Sequence, residues 1–340
     1  MVEEKEYTLY FRQMSLIHIQ SLAIGYNEMG MDKVLQENIN LSISSGEIVC
    51  LMGQNGVGKT TFIKTITGLH KRISGSIYHQ RHPIDKISKS ALAKLISVVL
   101  TEKPFAAHLS VIELIALGRY PYSNWLGRLS ISDKRAIDLA ISKTKIDYLA
   151  DKKLYQLSDG QFQKVMIARA LAQETDMIIL DEPTAHLDLS NKIEIMLLLK
   201  SIAASGKGVL IASHDLQVSF QLSDRLWLFN FNKPVLEGCP EDLILQGVID
   251  QTLFPVNNNI NLSTGTVKNL DEHKGNILVH GDPAIVHWTT QALQRNGYAV
   301  NKDKPSSISI NCLDSLWSLD DKNASVSFNS IENLLIHLEK

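Results

Sequence analysis

The chain has 340 residues, enough for one large domain with an appendage or for two domains. It is 44% hydrophobic and 21% charged with a formal net charge of −2, an ordinary soluble mix without the basic excess that would point to nucleic acid. Apolar runs such as IMLLL at 195–199 fall far short of the roughly 20 residues a bilayer span needs, and Cys50, Cys239 and Cys312 form neither a metal spacing nor a disulfide framework, which fits a reducing cytoplasm.

Residues 1–14 are acidic at their start, lack an apolar signal-peptide core and read as a loose tail. From Leu16 to Ile43 short alternating runs predict strands of a small antiparallel sheet. GEIVCLMG at 46–53 is apolar without alternation, the pattern of a parallel strand covered on both faces. KTTFIKTITGL follows as a helix ending at Gly68. SVIELIALG at 110–118 and SDKRAIDLAISKTKI at 132–146 read as helices, the second with Ser132 at the N-cap and Arg135 at N3. DMIILDEP at 176–183 and GKGVLIASHD at 206–215 are two more buried strands, with helical stretches between and after them. The sum is an α/β core with a parallel sheet and a helical subdomain at about 100–170, within a nucleotide-binding unit covering 15–254. An Asn-rich linker at 255–270 then leads to a small α/β domain at 271–340 with the order β-α-β-β-β-α. There His273, His280 and His287 recur every seven residues, but His280 ends a strand and His287 lies inside a helix, so the spacing reads as coincidence.

Four motifs carry chemistry. GQNGVGKTT spans Gly53, Gln54, Asn55, Gly56, Val57, Gly58, Lys59, Thr60 and Thr61 between a buried strand and a helix. Its glycines let backbone N–H groups wrap a phosphate chain in front of a helix N-terminus; Lys59 would reach the β- and γ-phosphates and Thr60 would offer a hydroxyl to Mg²⁺. In MIILDEP the strand ends in Asp181, suited to hold Mg²⁺ through water, and Glu182, suited to act as general base on the attacking water. His214 ends another buried strand, where a neutral imidazole could bond a γ-phosphate oxygen. Finally, LSDGQ places Ser158, Asp159, Gly160 and Gln161 at a second helix start. One nucleotide cannot easily occupy both helix ends of a monomer, whereas two copies placed head to tail would each close on the other's nucleotide.

In this order the motifs resemble those of the ATP-binding cassette (ABC) ATPases over about residues 15–250. GQNGVGKT looks like the family's Walker A, MIILDE its Walker B, LSDGQ its signature and SHD its switch histidine. The resemblance implies an ATP hydrolase with ATP and Mg²⁺ that works as a homodimer under polytopic membrane permease subunits, at the cytoplasmic face of the inner membrane, and indirectly with a substrate-binding protein. It further implies Tyr26 as the aromatic against adenine, Asp188 in TAHLD at the dimer seam, and Ser158, Gly160 and Gln161 as contacts to the partner's ATP. Two departures stand out. Asp159 stands where the signature usually has a glycine, and in VVLTEKP the position of the family's glutamine holds Thr101, with Glu102 next as a substitute oxygen ligand to Mg²⁺. Asp159 would avoid the phosphate by turning to solvent or to a basic neighbour such as Lys164.

ALGRYPYSNWLGRLSISD at 116–133 resembles the subgroup that imports iron–siderophore complexes, haem or cobalamin. The alternatives are an ABC ATPase of another transport system or a soluble member outside transport. A nucleotide kinase would have no use for LSDGQ plus SHD, and Glu182 argues against a non-hydrolysing ATP sensor.

Overall fold

The computed structural model describes residues 15–28, 31–100, 108–123, 127–231, 233–253, 260–261, 266–267, 274–301, 308–313, 316–321 and 324–338. Two compact units divide the chain, Met1–Leu253 and Phe254–Lys340.

The first unit holds two sheets. β1 (Ser15–Glu28), β2 (Met31–Ser44), β4 (Ser74–His79) and the two-residue β5 (His82–Pro83) form an antiparallel sheet in the order β2-β1-β4-β5. The second sheet has the order β10-β9-β3-β8-β7-β6, built from β3 (Ile48–Gly53), β6 (Ile96–Val99), β7 (Met177–Asp181), β8 (Gly208–Ala212), β9 (Arg225–Phe229) and β10 (Leu236–Gly238). All its pairs are parallel except β9 with β10. β3, β7 and β8 are buried at every residue, as unbroken apolar runs require when both faces are covered. RLWLF, which forms β9, and the short β10 were not anticipated as strands; they complete the sheet on the far side of β3.

Among the described residues, the helices of this unit include α1 (Lys59–Ile66), α2 (Lys89–Leu92), α3 (Val111–Ala116), α4 (Ile131–Thr144), α5 (Asp159–Ala172), α6 (Leu189–Ala204), α7 (Leu216–Leu222) and α8 (Pro240–Leu245). α9 (Val248–Leu253) closes it. α3 runs into a 3₁₀ turn over Leu117–Tyr122, so the expected helix at 110–118 tightens at its end. The start of α4 also differs from the sequence reading: Ser130, not Ser132, is the N-cap, and Asp133, not Arg135, sits at N3. The reason is reciprocal capping, in which Ser130 Oγ accepts from the Asp133 N–H and the Asp133 carboxylate accepts from the Ser130 N–H. An arginine at N3 can offer no such acceptor.

Phe62 of α1 packs edge-on against Trp227 and Phe229 of β9, at 5.9 and 5.1 Å between ring centroids. All three are fully buried. The helix behind the glycine loop is thereby seated on the sheet by aromatic packing.

In the second unit β13 (Gly275–Gly281), β14 (Tyr298–Asn301), β15 (Ile308–Leu313), β16 (Leu316–Asp321) and β17 (Ala324–Phe328) form a sheet in the order β14-β13-β15-β16-β17. β11 (Ile260–Asn261) and β12 (Thr266–Val267) pair antiparallel ahead of it. α10 (Pro283–Arg295) and α11 (Ile331–Leu338) contribute Leu293 and Leu334 to a core with Ile277, Val279, Ile310, Cys312 and Leu319. The sequence reading anticipates this order but for β16, an extra strand.

Candidate functional site

Parallel β3, β8 and β7 are adjacent, so three segments far apart in sequence leave the sheet side by side at their carboxyl ends. Those ends carry Gly53 onward, Ser213 and His214, and Asp181 and Glu182. The crevice beyond the carboxyl ends of such strands is where open α/β sheets bind ligands.

The glycine loop is shaped for an anion. Gly56 (φ 84°) and Gly58 (φ 109°) lie in the left-handed region that side-chain-bearing residues avoid. α2 to α7 each start on a Ser or Asp whose side chain accepts an N–H of the first turn. α1 starts on Gly58 with no side-chain cap, leaving its first-turn donors to a ligand. Lys59 Nζ donates to the carbonyls of Gly53 (2.7 Å) and Gln54 (3.2 Å), at the mouth of the loop. Gln54 donates in turn to Thr252 O of α9 at 3.3 Å, Asn55 is exposed in the turn, and Val57 is buried beneath it. Gln36 holds the loop from below: its buried amide donates to Asn230 O (2.6 Å) and Val57 O (3.4 Å). Sequence reading passed over Gln36 because a polar residue within an alternating strand looks solvent-facing.

Tyr26 stands beside the loop, 43% exposed, its hydroxyl 2.5 Å from Thr61 Oγ1 and its ring edge-on to His70. An adenine ring could lie against its open side.

The acidic pair follows at the end of β7. Thr60 Oγ1 donates to Asp181 Oδ2 at 3.4 Å. Burial, then the Glu182 charge, pushes the Asp181 carboxyl up, against the opposing pull of Thr60 and Lys59. Burial also pulls Lys59 down, against Glu182 and Asp181. Two close carboxylates and a hydroxyl make an all-oxygen donor set whose mutual repulsion a hard divalent cation would relieve, so the residues fit Mg²⁺. Glu182 is left-handed (φ 51°), with its N–H donating to Ala212 O at 2.9 Å, and its Oε2 is 2.8 Å from His214 Nδ1. That imidazole is 66% exposed, so one ring nitrogen engages Glu182 while the ring faces the open crevice. Thr101 and Glu102 lie outside the described residues.

The signature motif forms the start of α5. Ser158 is the N-cap and Gln161 stands at N3: Ser158 Oγ accepts from Gln161 N (3.3 Å) and Gln161 Oε1 accepts from Ser158 N (3.1 Å). Part of this terminus is therefore capped from within, and the exposed Ser158 hydroxyl still has a hydrogen to donate. Gly160 is buried, and a Cβ there would overlap the side chain of Asn191 on α6. A side chain at this position would displace the Asn191 amide of α6, so the glycine bears on packing within the chain as well as on any ligand. Lys164, expected as the basic neighbour of Asp159, pairs with Glu194 of α6. Asp188 caps α6, accepting from Asn191 N at 2.8 Å, with both carboxylate oxygens also bonded by Asn191 Nδ2.

The 116–133 stretch has a structural role that its sequence alone did not disclose. Arg119, 3% exposed, donates to Asp133 Oδ1 (2.8 Å), Ala172 O (2.6 Å) and Glu174 Oε2 (2.7 Å), and lies 4.1 Å from the centre of the Tyr122 ring. It joins the N-terminus of α4 to the C-terminus of α5, where a cation favours the helix dipole. Gly118 admits the close approach, since a Cβ there would overlap the Arg169 carbonyl. The S-x-x-D signal of Ser130 and Asp133 was available in the sequence, hidden by placing the cap two residues late.

The ABC transporter family profile matches residues 36–185, and the profile of the iron ABC transporter C-terminal domain matches 274–339. An ABC transporter ATP-binding protein of Methanocaldococcus jannaschii, MJ0873, is 36% identical over 237 residues, 69% of this chain and 80% of that one. The chain belongs to the ABC transporter family of ATP-binding proteins. As an ABC ATPase it is also 33% identical over 239 residues to the iron(3+)-hydroxamate import ATP-binding protein FhuC of Bacillus subtilis, covering 70% of this chain and 87% of FhuC. The dimeric structure of MJ0796, a bacterial ABC transporter cassette, superposes with a TM-score of 0.57 at 27% identity, over 66% of this chain and 98% of that one. No helix of this ABC ATPase, among the described residues, is long and apolar enough to cross a membrane.

Proposed function

We propose that this ABC ATPase hydrolyses ATP to power import of an iron chelate, as a homodimer seated on membrane permease subunits supplied by other chains. The observation that carries the iron reading is the second unit, which matches a C-terminal domain of iron ABC transporters, together with FhuC's similarity over the first unit. The Gly118–Arg119–Asp133 staple lends no independent support, since it acts in helix packing and carries no information about cargo.

In this reading the loop Gly53–Thr61 binds the phosphates of ATP, with Lys59 facing the β- and γ-phosphates and Tyr26 lying against the base. Thr60 and Asp181 would hold Mg²⁺, which when bound neutralises charge on the phosphate oxygens. Glu182 accepts a proton from the attacking water; its left-handed backbone aims the carboxylate back toward β8, where His214 steadies it. The hydroxyl hydrogen of Ser158, with Gly160, Gln161 and Asp188 around it, closes on the partner's γ-phosphate. Residues 271–340 form a separate accessory domain.

Glu182→Gln tests the core assignment. Nucleotide binding by titration calorimetry stays within a few-fold of the parent, while kcat for phosphate release falls by about a hundredfold or more, the usual share of a general base. Hydrolysis at the parent rate would overturn it. The iron reading is tested by purifying the full chain with its permease in proteoliposomes. Uptake of iron(3+)-hydroxamate driven by internal ATP is the expected result, and ATP-driven uptake of cobalamin with no iron uptake would contradict it.

A further inference from the structure

α6 touches three motifs within its first two turns. Its N-cap, Asp188, is bonded by Asn191. Asn191 fills the space that Gly160 leaves at the start of α5. Lys192 Nζ pairs with Asp215 Oδ2 at 2.6 Å. Glu194 pairs with Lys164, one turn into α5. Asp215 is the residue after His214; it caps α7 by accepting from Val218 N (3.1 Å), and its own N–H donates to Ser213 Oγ (3.0 Å). Lys192 and Asp215 are 28% and 21% exposed, whereas in the second pair Lys164 is 16% and Glu194 52% exposed. Salt therefore screens the Lys192–Asp215 pair less than the Lys164–Glu194 pair.

The segment between Glu182 and α6 is short and constrained. Glu182 and His186 are both left-handed, at φ 51° and 62°, and turns close the stretch through Ala185 N to Glu182 O and Leu187 N to Thr184 O. A shift of Glu182 and His214 upon nucleotide binding therefore reaches α6 twice, through this turn and through Asp215–Lys192. From α6 it reaches α5 twice, through Asn191 against Gly160 and through Glu194–Lys164.

We propose that the start of α6 is a coupling bar, with Lys192 and Glu194 as positioning residues. It converts nucleotide occupancy at a protomer's own Glu182–His214 site into the placement of Ser158 and Asp188, the surface that protomer offers to its partner. This rests on the reading of Ser158 and Asp188 as contacts to the partner's nucleotide. It assigns Gly160 a second task, since the glycine also lets α6 report to α5 within one chain.

The test is hydrogen exchange on the full-length chain with and without Mg²⁺-ADP, which a single protomer can bind. In the parent chain nucleotide should slow exchange in the first turns of α5 and α6 by about threefold or more, as a local opening is suppressed. Lys192→Met should abolish the response in both helices while ADP affinity by calorimetry stays within about twofold, and Lys192→Arg should restore it. Glu194→Gln should lose the response in α5 alone and keep it in α6, a pattern that general loosening of the fold would not produce. A parent chain that binds ADP without change in either helix overturns the proposal, as does a Lys192→Met chain that responds like the parent. Should Lys192→Met fail to fold, Glu194→Gln decides: an intact α5 response contradicts the bar. Failure of the parent chain to bind ADP at all would instead sink the ATPase reading, and this inference with it.

Discussion

Asp159 occupies the first position of α5, where the family's signature has glycine. A carboxylate near a γ-phosphate is repulsive, yet in the first turn of a helix it is stabilised by the N-terminal partial charge, by about 0.3–1 kcal/mol. It is exposed, and phosphate binding in the proposed mechanism falls to Ser158 and the backbone. Asp159→Gly should therefore raise the apparent ATP affinity of the dimer by no more than a few-fold, read from the KM of hydrolysis. A gain of a hundredfold would mean that the carboxylate acts as a brake. Asp133 offers a test of a different kind. Bonds from the Ser130 side chain and backbone, then from Arg119, hold its carboxyl down at about 2, against an ordinary 3.8. A depressed folded pKa contributes stability that is present above the unfolded value and lost as pH falls through the folded one. The difference in Tm between the parent and Asp133→Asn should be constant above about pH 5 and shrink between pH 4 and 2. A difference independent of pH across that window would contradict the ion pair. At this scale the residues of the glycine loop, Asp181, Glu182 and His214 were legible because each follows a buried strand. The Arg119 staple was not, since pairing across 14 residues between a turn and a helix leaves no local period.

Among the elements, α1 and α6 matter most. α1 is short, eight residues, and capped by nothing at its start, so its position rests on Phe62 against Trp227 and Phe229. Phe62→Ala should cost about 4 kcal/mol of stability by denaturant titration. It should also weaken nucleotide binding more than an equally destabilising change elsewhere in the core, because the loop rides on this helix. An unchanged nucleotide Kd in the folded variant would separate the loop from its aromatic seat. β9 explains why the seat was invisible in the sequence. RLWLF is five residues long, and a brief apolar run cannot be told from a helix segment by periodicity alone. β16 was overlooked for a related reason. LWSLDD follows β15 after two residues and ends in two carboxylates, so it resembles a polar loop, although Trp317 and Leu319 are buried in the core. β3, β7 and β8 are as brief, six, five and five residues, but were legible because each apolar run leads directly into Gly53 and its loop, Asp181–Glu182 or Ser213–His214.

The whole molecule divides its tasks between units. Every residue of the proposed nucleotide site lies in Met1–Leu253, while Phe254–Lys340 carries the match to iron transport. The two helix ends that sequence reading identified as phosphate sites remain the central geometric argument for a dimer. α1 begins uncapped on the glycine loop, and α5 begins at Ser158 with its exposed hydroxyl, each served by a different segment of one chain. A second protomer placed head to tail would bring the two kinds of end together, and MJ0796, to which this chain is similar, has a dimeric structure. The central claim is that ATP is sandwiched between two copies before Glu182 acts on water. The most direct measurement is the molar mass in solution of full-length Glu182→Gln with Mg²⁺-ATP, by light scattering. The account predicts a dimer with ATP and a monomer with ADP. A monomer that holds ATP at saturation would contradict it.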